Sequence, residues 1–131
     1  MKQTFALLAT LGLLQVPGTA AAHHAFAAEF DRNQPIELSG TVTKVEWMNP
    51  HARIYIDAPD SDGAMVIWNL EMGSPNGLMR QGWRRDTLKP GDAVSITGWR
   101  ARNNPHVGNI DAVRLPDGTR VFAASSANEG N

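Results

Sequence analysis

The sequence predicts an all-β domain with one short helix, arranged as a five-stranded OB-like Greek-key barrel with the helix between the third and fourth strands. Three observations predict it. Five short stretches alternate apolar and polar residues at the period of a half-buried strand. Turn clusters of Gly, Pro, Asn and Asp separate most of them. Ser74-Pro75, a helix-start signal, falls between the third stretch and the fourth. Three strands, one helix and two strands in that order is the OB arrangement. Strands at this spacing would also build a sandwich, which is the alternative.

The first strand is expected over Ile36–Trp47. Ile36, Leu38, Gly40 and Val42 share one parity, while Val45 and Trp47 continue on the other. A phase slip after a glycine predicts a bulge or bend, which a small barrel needs in order to curl. Met48-Asn49-Pro50 ends the strand. The second strand, His51–Asp57, sets Ala52, Ile54 and Ile56 opposite Arg53 and Tyr55. A turn at Pro59–Gly63 leads into the third, Ala64–Met72, where Val66, Trp68, Leu70 and Met72 alternate. The helix would then start after Ser74, include Leu78 and Met79, and fray near Gly82, with Trp83 closing the bottom of the barrel. Leu88-Lys89-Pro90-Gly91-Asp92 turns into the fourth strand, Ala93–Arg100, and a loop from Ala101 to Gly108 leads to the fifth, Asn109–Leu115. Pro116-Asp117-Gly118 turns the chain back to a short strand around Val121 and Phe122.

Ahead of this domain, residues 1–22 read as a cleavable signal peptide. Lys2 is its basic start and Phe5–Val16 its apolar run. Pro17-Gly18 breaks the run, and Ala20-Ala21-Ala22 offers the small residues of a cleavage site. The run is shorter than the roughly 20 residues of a spanning helix, so a retained anchor is the lesser alternative and the mature protein is not expected to span a membrane. The expected location is periplasmic or secreted, with the cut after Ala22. Residues 23–35 form a lead-in segment in which Phe26 and Phe30, four apart, would dock a single helical turn. Residues 36–122 are the barrel domain and residues 123–131 a disordered polar tail.

The 131-residue chain has 12 Lys and Arg against 13 Asp and Glu, and loss of Lys2 with the leader leaves a formal charge of −2. No basic excess exists to hold a nucleic acid. The absence of cysteine excludes disulfides, thiolate metal sites and thiol nucleophiles.

Several features in order resemble a family of small exported bacterial proteins, the domain of unknown function 6152. They are His23-His24 straight after the signal, Asn49-Pro50-His51 after the first strand, Trp68 to Glu71 leading to Ser74-Pro75, and Leu88-Lys89-Pro90-Gly91-Asp92. The resemblance covers essentially all of the mature chain. It implies a type of protein and no reaction.

The chemistry rests on four histidines: His23, His24, His51 and His106. Two share a tripeptide context, Asn49-Pro50-His51 and Asn104-Pro105-His106. In an OB-fold the loops that carry them meet at one end of the barrel, where ligands bind. Cleavage after Ala22 would give His23 a free amine beside its own imidazole, a chelate suited to Cu(II), with zinc as the other metal to consider. Cleavage one residue earlier would place His23 second and His24 third, again a copper-binding terminus. Met48 would add a soft thioether for Cu(I). The plainer alternative is four exposed or hydrogen-bonded histidines with no metal.

Glu71, where the third strand ends, is expected to accept hydrogen bonds from the helix start or from Arg53. Glu29 and Asp31 are acidic neighbours of the double histidine. Trp47 and Trp99 flank the histidine-bearing loops and would form an aromatic wall for a ligand, or pack to close the barrel. Arg80, Arg84, Arg85 and Lys89 read as a solvated basic face. Asp60–Gly63 lacks the length and final glutamate of a calcium loop and reads as a turn. The expected function is therefore exported ligand binding without turnover, by histidines and with copper favoured. A structural or protein-interaction module of the envelope, with unknown partner and no metal, is the second reading. A small copper-dependent redox enzyme is the third.

Overall fold

The structure, a computed structural model, describes residues 19–124, and of residues 19–23 only the backbone. Most of the expected signal peptide and the end of the expected tail therefore lie outside the described residues. The elements are α1 (Thr19–Glu29), β1 (Phe30–Glu46), β2 (Arg53–Pro59), β3 (Met65–Glu71), α2 (Pro75–Arg80), β4 (Ala93–Ala101), β5 (Val107–Arg114) and β6 (Arg120–Phe122).

The strands form one mostly antiparallel six-stranded sheet in the order β3-β2-β1-β4-β5-β6. One further pairing is parallel: β3 meets β5 at Asn69↔Val107, Leu70↔Gly108 and Glu71↔Asn109. Six strands stand where five were expected, because the short strand after Gly118 pairs with β5 over three residues. Two helices stand where one was expected. The additional one, α1, spans 11 residues and takes up most of the lead-in segment.

β1 is 17 residues long and begins at Phe30, six residues before the expected start. Its early part pairs with β4 and its late part with β2, and Thr41 pairs with both. The register shifts between Val42 and Lys44, leaving Thr43 unpaired with β2. This is the phase slip seen in the apolar pattern: one extra residue turns the following side chains to the other face. Two glycines let strands approach where a side chain would not fit. A Cβ on Gly40 would lie 2.3 Å from the Asp57 carbonyl oxygen, and one on Gly98 would lie 2.0 Å from that of Asn109.

The main core is assembled from the alternating residues. Leu38, Val42, Ile54, Ile56, Trp68, Leu70, Ile96 and Ile110 meet across the sheet. Leu78, Trp83 and Leu88 join them from α2 and the segment after it. Ser74 caps α2, its Oγ accepting from Gly77 N at 3.2 Å, and Pro75 takes the first turn, where no amide donor is needed. The Trp83 indole donates to the Phe122 carbonyl at 2.7 Å, which fastens α2's exit to β6. A second, smaller cluster holds Phe26, Phe30 and Ala101, with Trp99 and Val107 against it. Burying a residue such as Phe30 contributes about 1.5–3 kcal/mol. This cluster, together with Arg102 donating to the Ala27 and Glu29 carbonyls, docks α1 on the β4–β5 loop.

The disordered tail was expected from Ala123, and its first two residues are instead packed against the domain. Ala123 and Ala124 are buried, and Ala123 bonds to Asp111 and Gly73 through its backbone. Among the described residues no helix is long and apolar enough to cross a membrane.

Candidate functional site

The most organised polar cluster lies where β2 begins and β3 ends. Register places Arg53 opposite Glu71 and Tyr55 opposite Asn69. The parallel contact sets Asn109 beside Glu71 from the other side. Three strands thereby converge on one carboxylate that is only 6% exposed.

A charge so placed must be compensated by donors. Arg53 Nη2 donates to Glu71 Oε2 at 2.6 Å, while its Nη1 donates to Asn69 Oδ1 at 3.0 Å. His51 Nδ1 stands 2.7 Å from Glu71 Oε1, and the fully buried Asn109 amide reaches the same oxygen at 3.5 Å. A carboxylate only accepts, so the hydrogen sits on His51 Nδ1. The ring is then fixed in one tautomer with Nε2 turned away from Glu71. This carboxylate–imidazole pairing is the arrangement that orients histidines for metal ligation or proton exchange. The backbone holds it as well: Ala52 exchanges hydrogen bonds with Met72 and Gly73, pinning the loop behind His51 to the end of β3. The Asn49–Pro50 peptide in that loop is cis.

His106 has different surroundings. Its carbonyl accepts from Asn69 N at 2.9 Å, and its own amide donates to Asn104 Oδ1. Its ring meets Trp68 edge-on, with centroids 5.5 Å apart, and its Nε2 lies 3.8 Å from Asp60 Oδ2, an ion-pair distance too long for a hydrogen bond. Arg100 lies over the Trp68 ring at 5.4 Å. The Trp68 indole N–H is buried and has no acceptor among the described residues.

The carboxylate partners of His51 and His106 thus lie beside opposite ends of β2, a strand of seven residues spanning roughly 20 Å. His24 is exposed on α1, and the His23 side chain lies outside the described residues. Among the described residues, no group of three or more His, Asp or Glu side chains is gathered to hold a metal ion. What the structure assembles is one oriented imidazole at His51. His106, a second imidazole, packs on Trp68, and α1 is docked near its loop through Arg102.

The two expected wall residues line separate depressions. Trp47 and Met48 border an open groove of about 760 Å³ with Pro75, Met79 and Trp83. Trp99 packs edge-on against Phe26, centroids 5.9 Å apart, beneath Arg32, and borders a second depression of about 430 Å³. Asp31 accepts from Asn33 N at 2.9 Å and pairs with Arg102. The backbone hydrogen bond from Asn33 holds its carboxyl below the usual range.

Sequence reasoning missed Asn69, Asn109, Asp60 and Met79. Asn69 was within reach, since it shares the face of Glu71 two residues earlier. Asn109 and Asp60 were not, because their contacts depend on the β3–β5 pairing and on the path of the β4–β5 loop.

The chain matches the Family of unknown function (DUF6152) over residues 11–110 and belongs to that family. No curated protein and no solved structure matches it.

Proposed function

We propose that this chain is an exported, periplasmic ligand-binding protein without turnover, in which His51 Nε2 is the principal contact atom and a transition metal, copper first, is the ligand. The observation that carries this reading is the 2.7 Å contact of Glu71 with His51 Nδ1, on a carboxylate that Arg53 anchors from its other oxygen. The pairing holds the ring in one orientation with Nε2 turned away from Glu71, as carboxylates behind metal-bound imidazoles do. Cutting after Ala22 supplies the amine and ring of His23 as a chelate, with His24 as a further imidazole. His106, whose ring packs on Trp68 and faces Asp60 past the other end of β2, stands outside this ligand set. The architecture in this reading is an OB-like Greek-key barrel. Its support is that the pairings β1–β2, β2–β3, β3–β5, β5–β4 and β4–β1 run in a cycle, and that α2 follows β3 in the chain.

The test is titration of the processed protein with Cu(II) and Zn(II) against a competing chelator. Binding tighter than micromolar is expected for copper. Glu71→Gln should weaken it about 10- to 100-fold. Binding weaker than micromolar for both metals would overturn the reading. So would equal affinity in the wild type and in a variant with all four histidines replaced.

A further inference from the structure

The open groove between the β1–β2 loop and α2 is separate from the His51–Glu71 cluster, and its chemistry differs. Two of the exposed large apolar side chains of the described chain, Met48 (55%) and Met79 (52%), both line it. They come from segments 31 residues apart, so only the fold brings them to one place. Half-buried Trp47 lies beside them, and the charged residues of the lining are Arg84, Arg85 and the single acid Asp86. Arg80 and Lys89, exposed on either side, extend the basic run. Residues 80–89 therefore carry four cations and one acid, Asp86, in a chain whose formal net charge is −1. None of these four cationic side chains forms an ion pair among the described residues, whereas Lys44, Arg53, Arg102 and Arg120 do.

Unpaired arginines beside exposed, flexible apolar side chains and a tryptophan fit a partner that is negative at its surface and apolar just beneath. We infer that this face docks on an anionic phospholipid bilayer surface. Arg84 and Arg85 meet the lipid phosphates in the groove, and Met48, Met79 and Trp47 rest at the boundary between headgroups and acyl chains. The same charges argue against a metal cation in the groove. None of His51, Arg53, Asn69, Glu71 and Asn109 lines the groove, so the lipid contact and the metal reading rest on different residues and are tested separately.

The experiment uses protein isolated as the cell processes it, with its terminus fixed by intact mass. Co-sedimentation is measured with phosphatidylglycerol vesicles and with phosphatidylcholine vesicles. Partitioning at least tenfold in favour of phosphatidylglycerol is expected at low salt, lost at 0.5 M salt (about a 4 Å Debye length). Arg84→Glu with Arg85→Glu should lower it at least tenfold while leaving the thermal midpoint within a few degrees, since both side chains are exposed. Lipids brominated near the headgroup should quench tryptophan fluorescence, and Met48→Ser with Met79→Ser should remove most of that quenching. Equal partitioning to both vesicle types, or none to either, overturns the inference. Wild-type binding by the charge-reversed variant does the same. Release by millimolar inorganic phosphate would mean a small-anion site in place of a surface contact, and release by an acidic peptide a protein-docking face; either result also overturns it.

Discussion

Replacing Glu71 with alanine tests the central physical claim, that this carboxylate holds three strands and one imidazole together. Its side chain is almost wholly buried, and Arg53 reaches it at 2.6 Å. A hydrogen bond to a charged group is worth about 1.5–3 kcal/mol. Arg53 is 28% exposed and keeps Asn69, so it regains some hydration and the lower half of that range applies. His51, 38% exposed, adds about 0.5–1 kcal/mol, and Asn109 at 3.5 Å adds little. The expected loss for Glu71→Ala is about 2–3 kcal/mol, or roughly 10 °C in thermal midpoint for a domain of this size. Glu71→Gln, which keeps an acceptor, should lose about half as much. Replacing the pair together, Glu71→Leu with Arg53→Met, should recover much of the loss, because burying the pair is itself expensive. The assay is urea unfolding followed by tryptophan fluorescence, with a double-mutant cycle on Glu71 and Arg53. A loss under about 0.5 kcal/mol for Glu71→Ala, or a coupling energy near zero, would refute the reasoning.

Three further outcomes follow from particular contacts. Ser74→Ala removes the cap on a helix of only six residues and should cost about 1 kcal/mol in urea unfolding; an unchanged midpoint would show that the cap is dispensable. Gly98→Ala drives a methyl group to within 2.0 Å of the Asn109 carbonyl oxygen. It should destabilise by about 3 kcal/mol or prevent folding, whereas wild-type stability would mean that β4 and β5 part easily there. Tyr55 is the single tyrosine, so alkaline titration of its absorbance reads it alone. Burial first, then donation to Glu46 at 3.1 Å, raise its pKa above the ordinary value of 10.0. The fold favours the protonated phenol, so its contribution is complete below pH 10 and is lost as pH rises through the higher folded value. Tyr55→Phe should therefore flatten the alkaline decline in thermal midpoint, and a titration midpoint at or below 10 would contradict the burial argument.

Strand positions were legible because alternation is a local signal. Ile54 and Ile56, or Val94 and Ile96, announce a half-buried strand whatever it pairs with. The bulge at Thr43 was visible too, as a change of parity between Val42 and Val45. The start of β1 was not. Residues 31–35 are mostly polar, and they become strand by pairing with β4, including a register shift between Asp31 and Pro35. α1 was understated for a similar reason: its hold on the sheet comes from Phe26 and Arg102, which meet elements distant in sequence.

The candidate site divides in the same way. Arg53 and Glu71 were each suspect from chemistry alone, as a charge on a strand and a charge at a strand's end. Histidine at position 51 was suspect as a loop residue after a proline. Arg53 was one of the two partners expected for Glu71, and it is the one found. That His51 and Asn109 join them was not legible, since these residues come from a loop and from a further strand, β5.

Read alone, the chain settles whatever depends on neighbours a few residues away: strand periods, the Ser74-Pro75 helix start, the exclusion of cysteine chemistry and the family to which it belongs. Only the tertiary structure decides that His51 meets Glu71 while His106 meets Trp68 and Asp60, and that Met48 and Met79 share a groove with Arg84. The physical reason is that side-chain period is written along one strand, whereas register and the β3–β5 contact arise from packing between segments whose separation in sequence carries no distance in space.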